Sequence, residues 1–330
     1  MTDRAARPGE FEIIGRYFRP LSRSLPGAAA LADDTATVAI GAGNEPVVTV
    51  DTMVAGVHFL PGDPADLIAR KLLRVNLSDL AASGASPLTY FVAMSLPETI
   101  SESWIADFAA GLATDQQIFD IALSGGDTTA TPGPLTLSLT AVGEVPRGQA
   151  IRRGSAAPGE DIYVSGTIGD AALALDLMQE LGVEAALAQE PELIARYRLP
   201  EPRVSLGPAL RGIATACIDI SDGLFADLGH ICEASGVGAE IGFSRLPLSA
   251  AAARRLAADP LLSERIVSGG DDYELLFCAR AGDASRIADL SRTLGLPLTP
   301  VGHTTAGAGP VVRAASGEAM TLESPGWRHF

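Results

Sequence analysis

With 330 residues, a formal net charge of −16 and a sequence pI near 4.6, the chain is excluded as a general nucleic-acid binder, which needs a basic face. Hydrophobic residues make up 47% and charged residues 19%, which excludes a disordered chain and leaves enough apolar surface for two domains. Lys71 is the only lysine and no G-x-x-x-x-G-K-[ST] occurs, so a P-loop is excluded. Any phosphate group must be met by arginine or by metal.

In chain order, "EFEIIGRYF" (10–18) has helical spacing of Phe11, Ile14 and Phe18. "PVVTVDT" (46–52) is a β-branched strand, and 63–84 reads as a long helix with Asp63 as its N-cap. A strand at 88–96, a helix at 101–119 and an alternating strand at 135–145 complete a first half. "RRGSAAPGED" (152–161) has the Gly and Pro of a linker. A second series follows: strand "DIYVSG", helix "IGDAALALDLMQEL", helix "EPRVSLGPALRGIA", strand "CIDI", helix "LFADLGHICEAS", strand 273–279, helix 283–295 and a short strand around Val301. The alternation predicts an α/β (α+β) chain of two domains, 1–150 and 151–330. Cys217, Cys232 and Cys278 are odd in number and lie among apolar residues, which suits buried thiols in a reducing compartment. The first residues lack the apolar core of a signal peptide, and no stretch reaches membrane-span length. A cytoplasmic protein without membrane contact is expected.

Carboxylates recur at junctions between these elements: Asp33 and Asp34, Asp51, Asp79, Asp127, Asp219 and Asp222, Asp271 and Asp272. Taken singly, each can cap a helix or hold a turn. As a set they are harder to explain, because converging carboxylates repel unless divalent cations hold them together. Hard Mg²⁺ takes oxygen ligands and substrate phosphates, as phosphoryl transfer requires. "LSGGDTT" (123–129) and "VSGGDDYE" (267–274) each carry Gly-Gly-Asp, by chance or by duplication. The first reads as a turn whose amides approach phosphate. Arg152 and Arg153 can clamp phosphate oxygens or simply face water, and His58 can be a satisfied histidine or a substrate contact. His58, His230, His303 and His329 form no legible triad, and nothing marks a covalent nucleophile.

The ordered motifs resemble the thiamine-monophosphate kinase family, within the aminoimidazole-ribonucleotide-synthetase-like (PurM-like) fold group. They are "GEFEIIGRYF", "DDTA", "TVDTMVAGVHF", "NLSDLAASGASP", "SGGDTT", "RRGSAAPGEDIYVSGTIGD", "IDISDGLFADLGHI", "SGGDDYELLF" and "GWRHF", in order from about residue 9 to Phe330. The resemblance implies ATP-dependent phosphorylation of thiamine monophosphate to thiamine diphosphate by direct in-line transfer with several Mg²⁺ ions. It implies metal ligation by Asp34, Thr49, Val50 (through its backbone), Asp51, Asp79, Asp127, Asp219 and Asp222. It further implies ATP contacts from Gly126, Asp127, Arg152 and Ser221, and substrate contacts from His58, Asp271 and Trp327, an aromatic face suiting a cationic ring. A homodimer paired through N-terminal, ATP- and Mg-binding domains is also implied, with the C-terminal domain completing the active site. Asp227, in the helix after Asp222, reads as local or structural. Two departures stand out: Ala32 in "LADD" replaces an expected glycine, so a differently shaped turn is expected, and Asp271 stands where the family more often has glutamate.

Overall fold

The computed structural model describes residues 8–22, 25–323 and 326–327. Of the terminal "GWRHF", Gly326 and Trp327 are described; the last three residues, His329 among them, lie outside. The chain divides into two compact units, residues 1–80 with 86–147, and residues 81–85 with 148–330.

The first unit contains α1 (Glu10–Ile13), continued by a π-turn over Ile14–Phe18, then β1 (Asn44–Val54). Next come α2 (Ala65–Ala82), β2 (Ser86–Leu96), α3 (Glu102–Phe119), β3 (Ala122–Ala130) and β4 (Thr136–Pro146). The sheet order is β1-β4-β2-β3, with β2 and β3 parallel and the other pairs antiparallel. Strand alternation divides its two faces. Tyr90, Val92, Met94, Leu137, Leu139, Ala141 and Met53 are buried on one face. α2 and α3 lie on that side: Thr49 donates to Asp79 of α2, and Gln116 of α3 donates to the Tyr90 hydroxyl at 2.9 Å. On the other face Val48 and Val50 of the edge strand are 60% and 62% exposed. The two helices are tied by Arg70 and Arg74, which both donate to the fully buried Asp115 at 2.8 and 2.6 Å.

The second unit contains β5 (Asp161–Ser165), α4 (Asp170–Leu181), α5 (Val183–Gln189), α6 (Pro191–Arg198), α7 (Leu206–Ala209), β6 (Ala214–Asp219), α8 (Leu224–Ser235) and β7 (Gly238–Gly242). α9 (Ala250–Ala258), α10 (Leu262–Ser268), β8 (Leu275–Ala279), α11 (Ala284–Leu294), β9 (Leu298–Thr305) and β10 (Gly309–Arg313) follow. The sheet runs β10-β7-β9-β5-β8-β6, and both faces are covered. Ile162, Val164, Ile218 and Leu276 join Leu224, Leu228 and Ile231 of α8 in one core. Tyr163, Cys217 and Phe277 join Leu206, Leu210 and Ile287 in the other. The three cysteines are free and buried.

Two local expectations are corrected. The helix read at 201–214 shrinks to Leu206–Ala209, because Pro202 and Pro208 lack an N–H and Gly212 turns left-handed at φ 70°. Asp63 lies two residues before α2, and its Oδ2 accepts the Leu60 amide at 2.9 Å, which tightens the turn that leads into the helix. "LSGGDTT" is not a turn but lies within β3, in register with β2.

The glycine missing from "LADD" is not needed at that position. Ala32 sits at φ −108°, open to any residue. The left-handed positions are the three before it, Ala29, Ala30 and Leu31, at φ 47°, 53° and 54°. Each costs an L-residue about 1–2 kcal/mol. Ala30→Gly is therefore expected to stabilise the protein by about 0.5–1 kcal/mol, after subtracting glycine's greater unfolded-state entropy. Urea unfolding checks it.

Candidate functional site

The first group of acidic side chains arises where β1 meets the end of α2. Thr49 and Asp51 alternate onto the helix-covered face, and Asp79 reaches them from α2. The Thr49 hydroxyl donates to Asp79 Oδ2. Burial, followed by the charge of Asp79, pushes the Asp51 carboxyl up to about 7. Two carboxylates are held together here in a poorly hydrated place, an arrangement that a divalent cation could relieve. Every side-chain donor in the group is oxygen, which suits Mg²⁺. Val50 between them points to the opposite, exposed face, so only its backbone carbonyl can take part.

The turn after β1 carries His58, whose Nδ1 accepts the Val54 amide at 3.0 Å, which makes Nε2 the protonated ring nitrogen of the neutral imidazole. Lys71 donates to the His58 carbonyl at 3.3 Å, so the single lysine is a buried anchor of this turn.

A second group surrounds a cavity of about 780 Å³ in the same unit, lined by Asp33, Asp34, Gly125, Gly126 and Asp127 with Phe11 and Phe91 among the apolar walls. Gly126 has no room for a side chain: a Cβ there would lie 2.0 Å from the Val92 carbonyl oxygen. That close approach keeps β3 against β2 and presents Asp127 next to it, opposite Ala93. Asp127 is exposed and lies in the row Asp127–Ala93–Ser138–Thr52, whereas Asp51 belongs to the row through Leu139, Val92 and Gly126. The two carboxylates therefore point to opposite faces, on edge strands about 14 Å apart by strand spacing. Within this unit the acidic positions form two groups rather than one point of convergence.

The second unit assembles the remaining positions around the β6–α8 turn. Asp219 ends β6 and is 5% exposed. Ser221 and Asp222 follow, then Gly223 at φ 122°. The Ser221 carbonyl accepts the Asp271 amide at 2.9 Å, and the Asp222 carbonyl accepts the Trp327 amide at 3.0 Å. Backbone bonds thus bring Ser221, Asp222, Asp271 and Trp327 together, with the Trp327 ring half exposed. Arg152 is exposed, and its carbonyl accepts the Cys217 amide, which places it beside β6 two residues from Asp219. Asp271 holds φ 71° and Tyr273 φ 53°, so the second Gly-Gly-Asp is a strained loop, unlike its counterpart in β3. The echo between the two is one of sequence only.

Two buried acidic features were not legible in the sequence. Asp227 Oδ2 accepts the amides of Ser221, Asp222 and Gly223, each at 3.1 Å. Burial and the nearby Asp222 push Asp227 up to about 7 against the pull of those three amides. One ligand atom each of Asp222, Asp227 and His230 lie within 4.8 Å of one another. Asp272 is 2% exposed, accepts the Gly169 amide at 2.8 Å, and leaves Oδ1 without a hydrogen bond. Two residues on, the fully buried Glu274 receives Ser165, Arg196 and Arg203. The run "DDYE" gives the only hint, two carboxyls at even spacing entering an apolar strand.

Burial raises Asp272 well above the ordinary aspartate range, and burial also raises Asp170. A carboxyl with a raised native pKa binds its proton more tightly folded than unfolded. Its contribution to stability therefore falls as pH rises from about 4, the unfolded value, through the raised native one. Relative to Asp272→Asn, which does not titrate, the wild type is expected to lose stability between pH 5 and pH 8. Urea unfolding at both pH values checks this.

Residues 32–145 match the family model for the AIR synthase related protein N-terminal domain, and residues 157–315 match that for the C-terminal domain. The thiamine-monophosphate kinase of Caulobacter vibrioides is 42% identical over 328 residues, 98% of this chain and 92% of that protein. That of Escherichia coli strain K12 is 42% identical over 324 residues, covering 98% of each. The chain belongs to the thiamine-monophosphate kinase family. Among solved members, the Stenotrophomonas maltophilia kinase superposes with a TM-score of 0.80 at 46% identity, covering 88% of this chain and 91% of that one. The structure of AaThiL complexed with AMPPCP and TMP has a TM-score of 0.75 at 31% identity, covering 98% and 97%. The hydrogenase maturation protein HypE of E. coli shares the fold, with a TM-score of 0.77, but only 22% of its residues.

Proposed function

We propose that this chain transfers the γ-phosphoryl group of ATP to the phosphate of thiamine monophosphate, giving ADP and thiamine diphosphate. The observation that carries the reading is the pairing of Asp51 with Asp79 beside Thr49, in a chain 42% identical to thiamine-monophosphate kinases over nearly all its length.

Asp51, Asp79, Thr49 and the Val50 carbonyl, with Asp34, Asp127, Asp219 and Asp222, would hold Mg²⁺ ions, which when bound would neutralise the charge of the phosphates. The cavity at Gly126 and Asp127 has the size of a nucleotide pocket, and the bare backbone of Gly126 permits close approach of a phosphate. Arg152 and Ser221 contact ATP; His58 Nε2, Asp271 and the exposed Trp327 face contact the thiamine ester. The acceptor is a phosphate monoester, already mostly ionised near pH 7 because its second pKa is about 6. It attacks in line without a general base: its oxygen bonds to the γ-phosphorus as the β,γ-bridging bond breaks. That is why no catalytic triad or covalent nucleophile is required.

The apolar Val48 and Val50 stripe on the exposed face of β1 supports pairing of two copies through this unit. Buried free cysteines support a cytoplasmic setting, and no described helix is long and apolar enough to cross a membrane. The purified chain is expected to release ADP only when ATP, Mg²⁺ and thiamine monophosphate are all present. ADP release at the same rate with unphosphorylated thiamine would refute the choice of acceptor.

A further inference from the structure

We propose that Asp227 is a positioning residue that fills the anion-binding hollow of the β6–α8 turn and thereby reserves the turn for cations. Three successive amides that converge on one point are a ready phosphate cradle, and here they stand at the start of a twelve-residue helix. In this chain they converge on Asp227 Oδ2, supplied from α8 itself. Asp227 is 1% exposed, so the hollow is filled from within and no ligand phosphate can compete for those amides. What the turn then presents is oxygen: the carboxylate of Asp222 and the hydroxyl of Ser221.

The same three bonds fix the backbone of Ser221, Asp222 and Gly223, whose carbonyls at Ser221 and Asp222 hold Asp271 and Trp327. Gly223 and Gly270 leave no slack, since a Cβ on either would lie 2.5 Å from the Ser268 oxygen or 2.1 Å from the Ser221 oxygen. Loosening Asp227 therefore moves a proposed metal ligand and the loop carrying a proposed substrate contact together. The inference rests on the reading that Asp222 holds a metal ion.

The test compares Asp227→Ala, Asp227→Asn and Asp222→Ala, reading turnover against Mg²⁺ concentration and, with no substrate present, the rise in melting temperature on Mg²⁺ titration, which is expected to shift to higher Mg²⁺ in parallel. Asp227→Ala is expected to raise the Mg²⁺ concentration for half-maximal turnover at least tenfold and to lower kcat. Formate, which restores a carboxylate to the three amides, is expected to recover at least part of both. It should help neither the wild type nor Asp222→Ala. Asp227→Asn keeps an amide oxygen on the loop, serves if the alanine variant fails to fold, and is expected to shift the Mg²⁺ dependence about threefold. An unchanged Mg²⁺ dependence in a folded Asp227 variant, with Asp222→Ala shifted, would overturn the positioning role alone. An unchanged dependence in Asp222→Ala would overturn the metal reading beneath it.

Discussion

Asp51→Asn is expected to lower turnover by about 10³-fold while making the metal-free protein more stable. The loss follows from the proposed role of Asp51 as a charged ligand of a cation that would neutralise the transferring phosphoryl group, an effect worth several kcal/mol. The gain follows from the same geometry read without metal. Asp51 is raised to about 7 by burial and by Asp79, so at pH 8 the ionised side chain is held where it is disfavoured. Its folded pKa lies above the unfolded one, so its contribution turns unfavourable as pH rises between the two. Replacing it with a neutral isostere removes that cost. Melting in chelator at pH 8 should place the variant above wild type, and adding Mg²⁺ should reverse the order by stabilising the wild type more. A variant less stable than wild type in chelator would show that the pair needs no cation.

Gly126→Ala is expected to cost about 1–3 kcal/mol in stability and about 100-fold in turnover. The added methyl would meet a backbone carbonyl, Val92 O at 2.0 Å, which cannot rotate away. β3 must move off β2 and carry Asp127 with it, and displacement of a positioned group by about 1 Å costs about 10² in rate. Gly125→Ala is the control. Its methyl would meet the Phe91 ring at 3.0 Å, and a ring can give way. Chemical denaturation and steady-state kinetics on both variants separate the two positions; equal effects would refute the backbone-clash account.

How much of this was legible in advance differs by residue. The β-branched run 46–52 announced β1 but put Asp51 at its end, whereas the strand continues to Val54; the helices read at 63–84 and 101–119 are α2 and α3 to within a few residues. The run "LFADLGHICEAS" reads as a helix and is one, Leu224–Ser235. "LSGGDTT" misled because two glycines signal a turn in isolation, whereas here they serve the tight parallel contact of β3 with β2, a tertiary demand. The departure at Ala32 looked like a distorted turn at the aspartates, but the strain sits upstream at Ala29–Leu31. The even distribution of Asp51 and Asp127 onto opposite faces needed the register of four strands. Asp227 looked like a bystander because nothing in a one-dimensional pattern shows three amides pointing at a carboxylate four to six residues later.

The central claim is a metal-assisted kinase acting on a phosphate acceptor, and γ-labelled ATP tests it most directly. Incubated with the protein, Mg²⁺ and thiamine monophosphate, the label is expected in the terminal phosphate of thiamine diphosphate, in step with ADP and with none left on the protein. A folded, ATP-binding protein that yields no labelled thiamine diphosphate, or that carries the label covalently, would contradict it.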